Sequence, residues 1–206
     1  MKYVKNEFSK KTIYLEIRNL NSYKKYIDLF ESVGFQYQKH LNFHLNLSDK
    51  DNVEKNLSTN IKRQIKHTRR RNVICELTNN ESDIFQLYKI LSELYRKKIK
   101  LPLFPYEFFN ELKELSEAKF FIVKHNNIVV GGIICVLLEK KTVYEWYICG
   151  KDFSEESIFP TAFATWSAIE YGITNNFERF DFMGAGKPGE KYGVRDFKAK
   201  FGGQLV

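Results

Sequence analysis

The chain has 206 residues, of which 43% are hydrophobic and 28% charged, a composition that suits one globular domain and excludes a disordered protein. Its formal net charge of +8 indicates an anionic partner, and nucleic acid, a phosphate-bearing metabolite and an acidic membrane surface all remain open. The longest apolar run, residues 128–138, is shorter than the roughly 20 residues that a membrane span needs, and the lysine-rich N-terminus lacks the apolar stretch of a signal peptide. We therefore expect a cytoplasmic protein without a transmembrane segment.

Hydrophobic periodicity and turn signals predict the elements of the fold. The first predicted elements are a strand at Thr12–Arg18, a helix at Asn21–Val33 that ends at Gly34, a strand at Asn42–Leu47, one long helix with Val53, Leu57, Ile61 and Ile65 on its apolar face, and a strand at Val73–Leu77. Two helices follow, from Glu81 to about Lys98 and from Pro105 to about Leu115, and then three strands at Lys119–His125, Ile128–Glu139 and Thr142–Cys149, joined by two-residue turns at Asn126-Asn127 and Lys140-Lys141. The last elements are a helix from Pro160 to about Thr174, a strand at Arg179–Met183 and a short helix around Arg195–Lys200. Helices before and after an antiparallel meander indicate the α/β (α+β) class. We expect a single domain over residues 1–206, with a mixed, largely antiparallel sheet flanked by helices.

The end of the long helix carries a cluster of positive charge. Lys62, Arg63, Lys66 and Arg70 lie in a segment, residues 62–71, that contains no acidic residue. Such clusters bind phosphate-rich ligands because several cations together neutralise several negative charges. The alternative is a solvated helix face whose cations complement the negative end of the helix dipole. The lack of an acidic partner in the segment argues against this alternative and favours a binding site.

A second candidate site is the segment 182–203, FMGAGKPGEKYGVRDFKAKFGG, which combines glycines with cationic residues. Glycine permits close approach of the backbone to a ligand. The spacing of Gly184, Gly186 and Gly189 matches a dinucleotide-binding fingerprint, but that fingerprint opens a helix inside an N-terminal βαβ unit. Pro188 and Gly189 stand where that helix would begin, so we reject a dinucleotide site.

Two strands carry polar residues with two interpretations each: they bind an amine substrate, or they only stabilise the fold. Glu145 and Tyr147 alternate along one strand and are expected on the same face, where a carboxylate and a phenol suit an amine; burial in the core is the alternative. Asp181 lies on the strand that leads into the glycine-containing segment. It either orients a cation or the nucleophilic amine, or pairs with a nearby lysine.

No metal site and no tightly bound cofactor are expected. The four histidines are dispersed, and the three cysteines lie far apart without the spacing of metal ligands. We interpret the cysteines as buried thiols in a reducing compartment.

Taken together, these segments resemble the Fem (FemABX) family of aminoacyl-transferring enzymes, whose members carry GNAT-type acyltransferase domains. The resemblance covers nearly the whole chain and corresponds to the second GNAT-like domain of that family. It rests on LEIR at Leu15, GFQYQKHLNFHLNLS at Gly34, LSTNIKRQIKHTRRRNV at Leu57 and, most specifically, FDFMG followed by FKAKFGG near the C-terminus.

The chain also departs from the family pattern. Lys62, Gln64 and Asn72 stand where the family usually has Arg, Asn and Gly. The Gln/Arg-x-x-Gly-x-Gly/Ala segment that acetyl-CoA-using GNAT enzymes present to the pyrophosphate is absent. A large first domain, which builds part of the substrate cleft in the relatives, has no counterpart in this sequence.

The resemblance implies a role for several residues. The Phe-Lys pair of the family is Phe197-Lys198 here, and Lys198 is implied as the cation that stabilises the tetrahedral oxyanion of acyl transfer. Phe197 is expected as a catalytic residue beside it, and Asp181, from its position on the strand, as a further one. Loss of one such oxyanion donor typically lowers the rate by about 10²–10³. The implied substrate-binding residues are Lys62, Arg63, Lys66, Arg70, Glu145, Tyr147 and Arg195.

The implied activity is transfer of an aminoacyl or acyl group to an amine acceptor in the synthesis of cell-wall peptidoglycan or surface polysaccharide precursors. The donor is either aminoacyl-tRNA or acyl-CoA, and the anionic partner is a nucleotide-linked precursor or tRNA. The alternatives are an acyl-CoA-dependent N-acyltransferase of an amino sugar, and a non-catalytic nucleic-acid-binding or partner module.

Overall fold

The computed structural model describes residues 2–12, 15–17 and 24–206, which divide into two compact units, residues 1–40 and 41–206. The first unit contains α1 (Lys2–Phe8) and α2 (Ile27–Ser32), the latter preceded by a 3₁₀ turn at Lys24–Tyr26. The prediction of a single domain over residues 1–206 stays a prediction.

Two sequence predictions fall on the first unit. The expected strand at Thr12–Arg18 lies partly outside the described residues, and Thr12 and residues 15–17, which are described, form no strand. The expected helix at Asn21–Val33 begins with residues outside the described part of the chain and is otherwise found. Gly34 follows its end with a φ of 83° and donates to the carbonyl of Glu31, as predicted for a helix-ending glycine.

The second unit contains the sheet and six helices of the described chain. Its elements are β1 (Asn42–Asn46), α3 (Lys50–Asn56), α4 (Thr59–Arg70), β2 (Val73–Leu77), α5 (Glu81–Leu94) with a π-helical turn at Tyr95–Ile99, α6 (Tyr106–Leu112), β3 (Ala118–His125), β4 (Ile128–Leu138), β5 (Thr142–Gly150), α7 (Pro160–Thr174), β6 (Arg179–Gly184), α8 (Gly193–Ala199) and β7 (Gln204–Leu205). The α/β (α+β) class with a mixed, largely antiparallel sheet is confirmed.

The seven strands are ordered β2-β3-β4-β5-β6-β1-β7, and every neighbouring pair is antiparallel except β5 and β6. The sheet separates two apolar cores. One core packs α4 and α7 against Phe43, Leu45, Val143 and Phe180, and the other packs α5 and α6 against the opposite face. None of the helices in the described ranges is long and apolar enough to cross a membrane.

The predicted long helix is wrong in one respect, because the structure divides it into α3 and α4 at Leu57 and Ser58. Leu57 has extended ψ of 133°, and the Ser58 side chain caps α4 by accepting a hydrogen bond from the N–H of Ile61. The apolar face survives the break, since Ile61 and Ile65 are buried with the two residues expected beside them. Asn72 follows this region with a φ of 55°.

The two hairpin turns have different outcomes. Asn126 and Asn127 have φ values of 50° and 61°, which confirms the two-residue turn between β3 and β4. The turn between β4 and β5 has three residues, because Leu138 pairs with Thr142 and Glu139 adopts a φ of 49°. The expected two-residue turn at Lys140-Lys141 is therefore wrong by one residue.

Candidate active site

A gap opens between the two parallel strands at the centre of the sheet. β5 and β6 pair only over Thr142–Tyr144 and Arg179–Asp181, although β5 continues to Gly150 and β6 to Gly184. Past Tyr144, the edge of β5 that faces β6 has no strand partner in the described part of the chain. The edge therefore presents backbone N–H and C=O groups to whatever enters the gap.

A β-bulge at Trp146 coincides with the start of this gap. Cys135 on β4 pairs with Glu145, but the preceding residue on β4, Ile134, pairs with Tyr147, so Trp146 is the extra residue of β5. A bulged strand bends and twists more strongly than a regular one. The bulge thus directs β5 away from β6 immediately after their last paired residues.

Lys198 and Glu145 meet in the interior on the α7 side of the gap. Lys198 is 6% and Glu145 3% exposed, and the Lys198 Nζ lies 3.4 Å from the Glu145 Oε1. The ammonium donates to the backbone oxygen of Phe182 and, at 3.1 Å, to that of Gly184. Both carbonyls belong to the part of β6 that β5 no longer pairs with. A lysine has three N–H donors, so one remains for the carboxylate or a ligand.

The Glu145 carboxyl group is buried with incomplete hydrogen bonding. Its Oε2 accepts from the Thr165 hydroxyl on α7 at 3.5 Å, whereas its Oε1 has no hydrogen-bond partner among the described residues. Burial raises the pKa of Glu145 to about 7, although the Lys198 charge and the Thr165 hydrogen bond oppose this shift. The carboxyl group therefore changes charge near neutral pH, which is typical of functional sites.

The bulge corrects the expectation that Glu145 and Tyr147 share a face. Glu145 faces α7, but the Tyr147 ring packs on the opposite side, with its centroid 5.3 Å from that of Phe109 and 6.1 Å from that of Tyr95. The extra residue reverses the alternation of side chains between these two positions. The two residues therefore do not form one amine site, and substrate binding by either one stays a prediction.

The two other residues predicted on α8 have structural contacts. Phe197 packs on Phe201, with ring centroids 5.3 Å apart. Arg195 donates to the carbonyl oxygens of Ala185 at 2.9 Å, Glu190 at 2.8 Å and Lys187. Arg195 thus holds the loop between β6 and α8, and its role in substrate binding stays a prediction.

Asp181 lies on the face of the sheet opposite Lys198. It is 2% exposed, and its Oδ1 accepts from the Asn42 side-chain amide and from the Met183 N–H, both at 2.7 Å. Its Oδ2 lies 3.1 Å from the Nε2 of His44. Sequence reasoning missed His44, because nothing in the pattern shows that β1 and β6 are neighbours in the sheet.

The basic residues of α4 line an open groove with a cavity volume of about 690 Å³. Lys62, Lys66 and Arg70 lie along this groove beside Trp166 of α7. Arg63 is not among the lining residues and donates to the Asn60 side chain at 3.2 Å. The groove is separate from the cluster around Lys198, so the predicted residues form two sites rather than one.

The groove also contains acidic residues that the helix sequence alone does not reveal. Arg69 donates to both carboxylate oxygens of Glu170 on α7 at 2.9 Å, and Asp51 and Glu54 line the side formed by α3. The lining residues Lys62, Lys66 and Arg70 have no carboxylate partner among the described ion pairs. This arrangement favours an anionic ligand in the groove.

The three cysteines are free thiols. Cys135 and Cys149 are buried, and Cys75 is partly so. Burial raises the pKa of Cys75 to about 11 and that of Cys149 to about 12, so these thiols are unreactive at neutral pH.

A sequence profile described as an acetyltransferase (GNAT) domain matches residues 55–198, which include the gap, Glu145 and Lys198. The chain belongs to this family. The profile names neither a donor nor an acceptor. No curated protein sequence matches it significantly.

Solved structures with the same fold include FemX, with a TM-score of 0.70 and 12% identity over 87% of this chain and 65% of that one. L-PGS from Bacillus licheniformis has a TM-score of 0.63 and 11% identity over 88% of this chain and 62% of that one. These likenesses confirm the Fem-like GNAT fold that the sequence motifs indicate. The GNAT-family chain spans less than two thirds of each structure.

Proposed function

We propose that this GNAT-family chain transfers an aminoacyl or acyl group to an amine acceptor in the synthesis of cell-wall peptidoglycan or surface polysaccharide precursors. The observation that carries the proposal is the buried ammonium of Lys198 at the gap between β5 and β6. A cation in a water-poor site stabilises the negative charge that develops on a carbonyl oxygen under attack.

In the proposed reaction, the acyl carbonyl of the donor enters the gap. The acceptor nitrogen attacks the carbonyl carbon, and the oxygen gains negative charge beside the third N–H of Lys198. The Glu145 Oε1 lies 3.4 Å from the Lys198 Nζ without a hydrogen bond to it. When Glu145 is ionised, its charge attracts the ammonium and keeps it at the gap. Phe197 anchors α8 through its contact with Phe201 and so fixes the position of Lys198.

Aminoacyl-tRNA is the first candidate donor because of the groove along α4. Lys62, Lys66 and Arg70 offer several cations in one open channel, which suits a polyphosphate backbone or a nucleotide-linked precursor. The Fem motifs of the sequence support the same donor. Aminoacyl-tRNA and acyl-CoA both occur in the cytoplasm, in keeping with the proposed cytoplasmic location.

Acyl-CoA is the second candidate donor, and the free edge of β5 favours it. The unpaired N–H and C=O groups past Tyr144 suit the amide groups of a pantetheine arm lying along the strand. With this donor, an amino sugar is the proposed acceptor.

Calorimetry at fixed salt distinguishes the candidate functions. It measures, side by side, the binding of the purified protein to acetyl-CoA, charged tRNA and a UDP-linked muropeptide. Binding of tRNA or the muropeptide without CoA supports aminoacyl transfer. Binding of CoA alone supports the amino-sugar N-acyltransferase. Binding of tRNA without any transfer supports a nucleic-acid-binding module.

Transfer itself is tested with Lys198→Met combined with Glu145→Gln. The double variant removes both buried charges together, so neither is left without a counter-charge. We expect it to bind donor normally and to transfer about 10²–10³ more slowly, the typical effect of losing one oxyanion donor. Unchanged transfer would refute the role of Lys198.

A further inference from the structure

A histidine and a buried aspartate form a pair on the face of the sheet opposite Lys198. His44 lies on β1 between Phe43 and Leu45, and Asp181 lies on the neighbouring strand β6. Phe43 and Leu45 belong to the core beneath α4 and α7. Because side chains alternate along a strand, His44 projects to the other face, where it meets Asp181.

The hydrogen bonds around Asp181 define the state of the imidazole. Oδ1 of Asp181 already accepts from Asn42 and from the Met183 N–H, which leaves Oδ2 for the His44 Nε2 at 3.1 Å. The Asn42 amide is itself fixed, since its oxygen accepts from the N–H of Phe43 at 2.7 Å. The Asn42 Nδ2 also lies 3.3 Å from the His44 Nε2, but that amide already donates to Asp181 at 2.7 Å, and the carboxylate contact of the ring is shorter. The carboxylate therefore favours the proton on Nε2, which leaves the lone pair on Nδ1.

The pair stands at the point where the gap begins. Asp181 pairs with Tyr144, the last residue of β5 before the strands separate. The Asp181 carboxylate is 2% exposed, whereas the His44 side chain is 24% exposed, so the ring is accessible while its partner is shielded. His44 itself lies on β1, one strand beyond β6 from the gap, so an acceptor amine that approaches the gap from the face opposite Lys198 comes beside the imidazole.

We infer that His44 is the general base that removes a proton from the acceptor amine, with Asp181 and Asn42 as positioning residues. The inference rests on the proposed acyl transfer. The neutral amine attacks the acyl carbon, so that the C–N bond forms and the amine gives one proton to the Nδ1 of His44. The bond from carbon to the leaving sulfur or oxygen then breaks, its electron pair stays on that atom, and the imidazolium returns the proton to it.

Among the described residues, the charged and titratable groups near the imidazole lie on β5 and β6. Asp181 contacts it directly on β6, and the Tyr144 phenol lies on the same face of β5. Glu145 and Lys198 face the opposite side of the sheet. Asp181 is therefore the charged group that controls the orientation of the ring.

The test compares His44→Gln with His40→Gln, a matched control at an exposed position in the other compact unit. Transfer is measured from acetyl-CoA and from charged tRNA to glucosamine and to a UDP-linked muropeptide. General bases typically contribute about 10²–10⁴ in rate, so we expect His44→Gln to lower kcat by this factor with little change in the KM of the donor. The control variant transfers at the wild-type rate.

Hydroxylamine as acceptor distinguishes a lost base from a disturbed fold. Hydroxylamine is uncharged at neutral pH and is a strong nucleophile that depends little on a general base. After subtraction of the uncatalysed rate, the deficit of His44→Gln therefore becomes much smaller than with glucosamine. An equal deficit with both acceptors, or wild-type kcat in His44→Gln, overturns the inference while leaving the proposed function intact.

Nitrogen NMR of the imidazole gives a measurement that does not depend on turnover. We expect the His44 Nε2 to carry the proton in the wild type, and Asp181→Asn to abolish this preference. A proton on Nδ1 in the wild type overturns the inference whatever the activity. If the wild type transfers from neither donor while NMR finds the expected tautomer, the failure belongs to the proposed function.

Discussion

Lys198 and Glu145 form the only ion pair among the described residues in which both side chains are less than a tenth exposed, with 3.4 Å between Nζ and Oε1. One partner comes from β5 and the other from α8, so the pair links the sheet to the C-terminal helix. A buried pair of this kind makes stability sensitive both to pH and to the loss of either partner.

The pKa of Glu145 predicts how stability depends on pH. The folded protein holds the proton of Glu145 up to about pH 7, whereas the unfolded chain releases it near the ordinary pKa of 4.5. The folded state thus binds more protons between these values, and this group lowers the free energy of unfolding as pH rises through them, by an amount on the order of 3 kcal/mol. Glu145→Gln is expected to flatten this decline, as measured by urea unfolding across the pH range. An unchanged slope in the variant would show that another group is responsible.

Removal of one member of the pair is expected to be more harmful than removal of both. Above about pH 7, where Glu145 is ionised, Lys198→Met removes the cation beside a buried carboxylate and should lower the free energy of unfolding by about 3–5 kcal/mol. Lys198→Met with Glu145→Gln leaves no buried charge, so most of this loss should be recovered. Thermal or urea unfolding of the three proteins gives the comparison. Additive effects of the two substitutions would contradict a direct interaction.

Arg195 is expected to control the order of the loop between β6 and α8. Its guanidinium donates to three carbonyl oxygens of that loop, and lysine does not reproduce this planar arrangement of donors. In Arg195→Lys we expect faster amide hydrogen exchange across residues 185–190, with helix α7 unaffected. Arg71→Lys, at an exposed position after α4, is the control. Equal exchange in Arg195→Lys and wild type would mean that the glycine-containing loop is ordered without the guanidinium.

The groove along α4 predicts salt-dependent binding of tRNA. Replacement of Lys62, Lys66 and Arg70 by Gln removes three cations, and the slope of log affinity against log salt should become shallower by about 2–3. The matched control replaces Lys97 and Lys98 of the π-helical turn after α5 and Lys100, which follows that turn. All three are exposed, so the control removes the same charge elsewhere. If both triple variants lose affinity equally, net charge rather than the groove attracts the nucleic acid.

Local sequence signals were sufficient for most elements of the fold. The helix at Pro160–Thr174 and the strand at Val73–Leu77 have the predicted boundaries, because a proline at the first turn and a run of apolar residues are local features. The break between α3 and α4 was not predicted. The apolar residues continue across it with unchanged spacing, and the cap at Ser58 competes with helix continuation only in the folded context.

The candidate site was predicted less completely, because it depends on which strands are neighbours. The motif ending in FKAKFGG points to Lys198, but its partner Glu145 lies far away in sequence. The contact of His44 with Asp181 requires β1 to lie beside β6, a pairing between distant segments that periodicity does not specify. The position of Tyr147 required knowledge of a bulge, which a single strand sequence does not display.

The bulge also explains why the sheet has an opening between β5 and β6 at its centre. Trp146 is the one residue of β5 that β4 does not match, and pairing with β6 stops two residues before it. A chain that lacked this residue would keep Glu145 and Tyr147 on their present faces, yet β5 would run straight and its backbone would be free to pair further along β6. The gap is therefore created by a single inserted residue, and deletion of Trp146 is expected to close it while leaving the rest of the core in place.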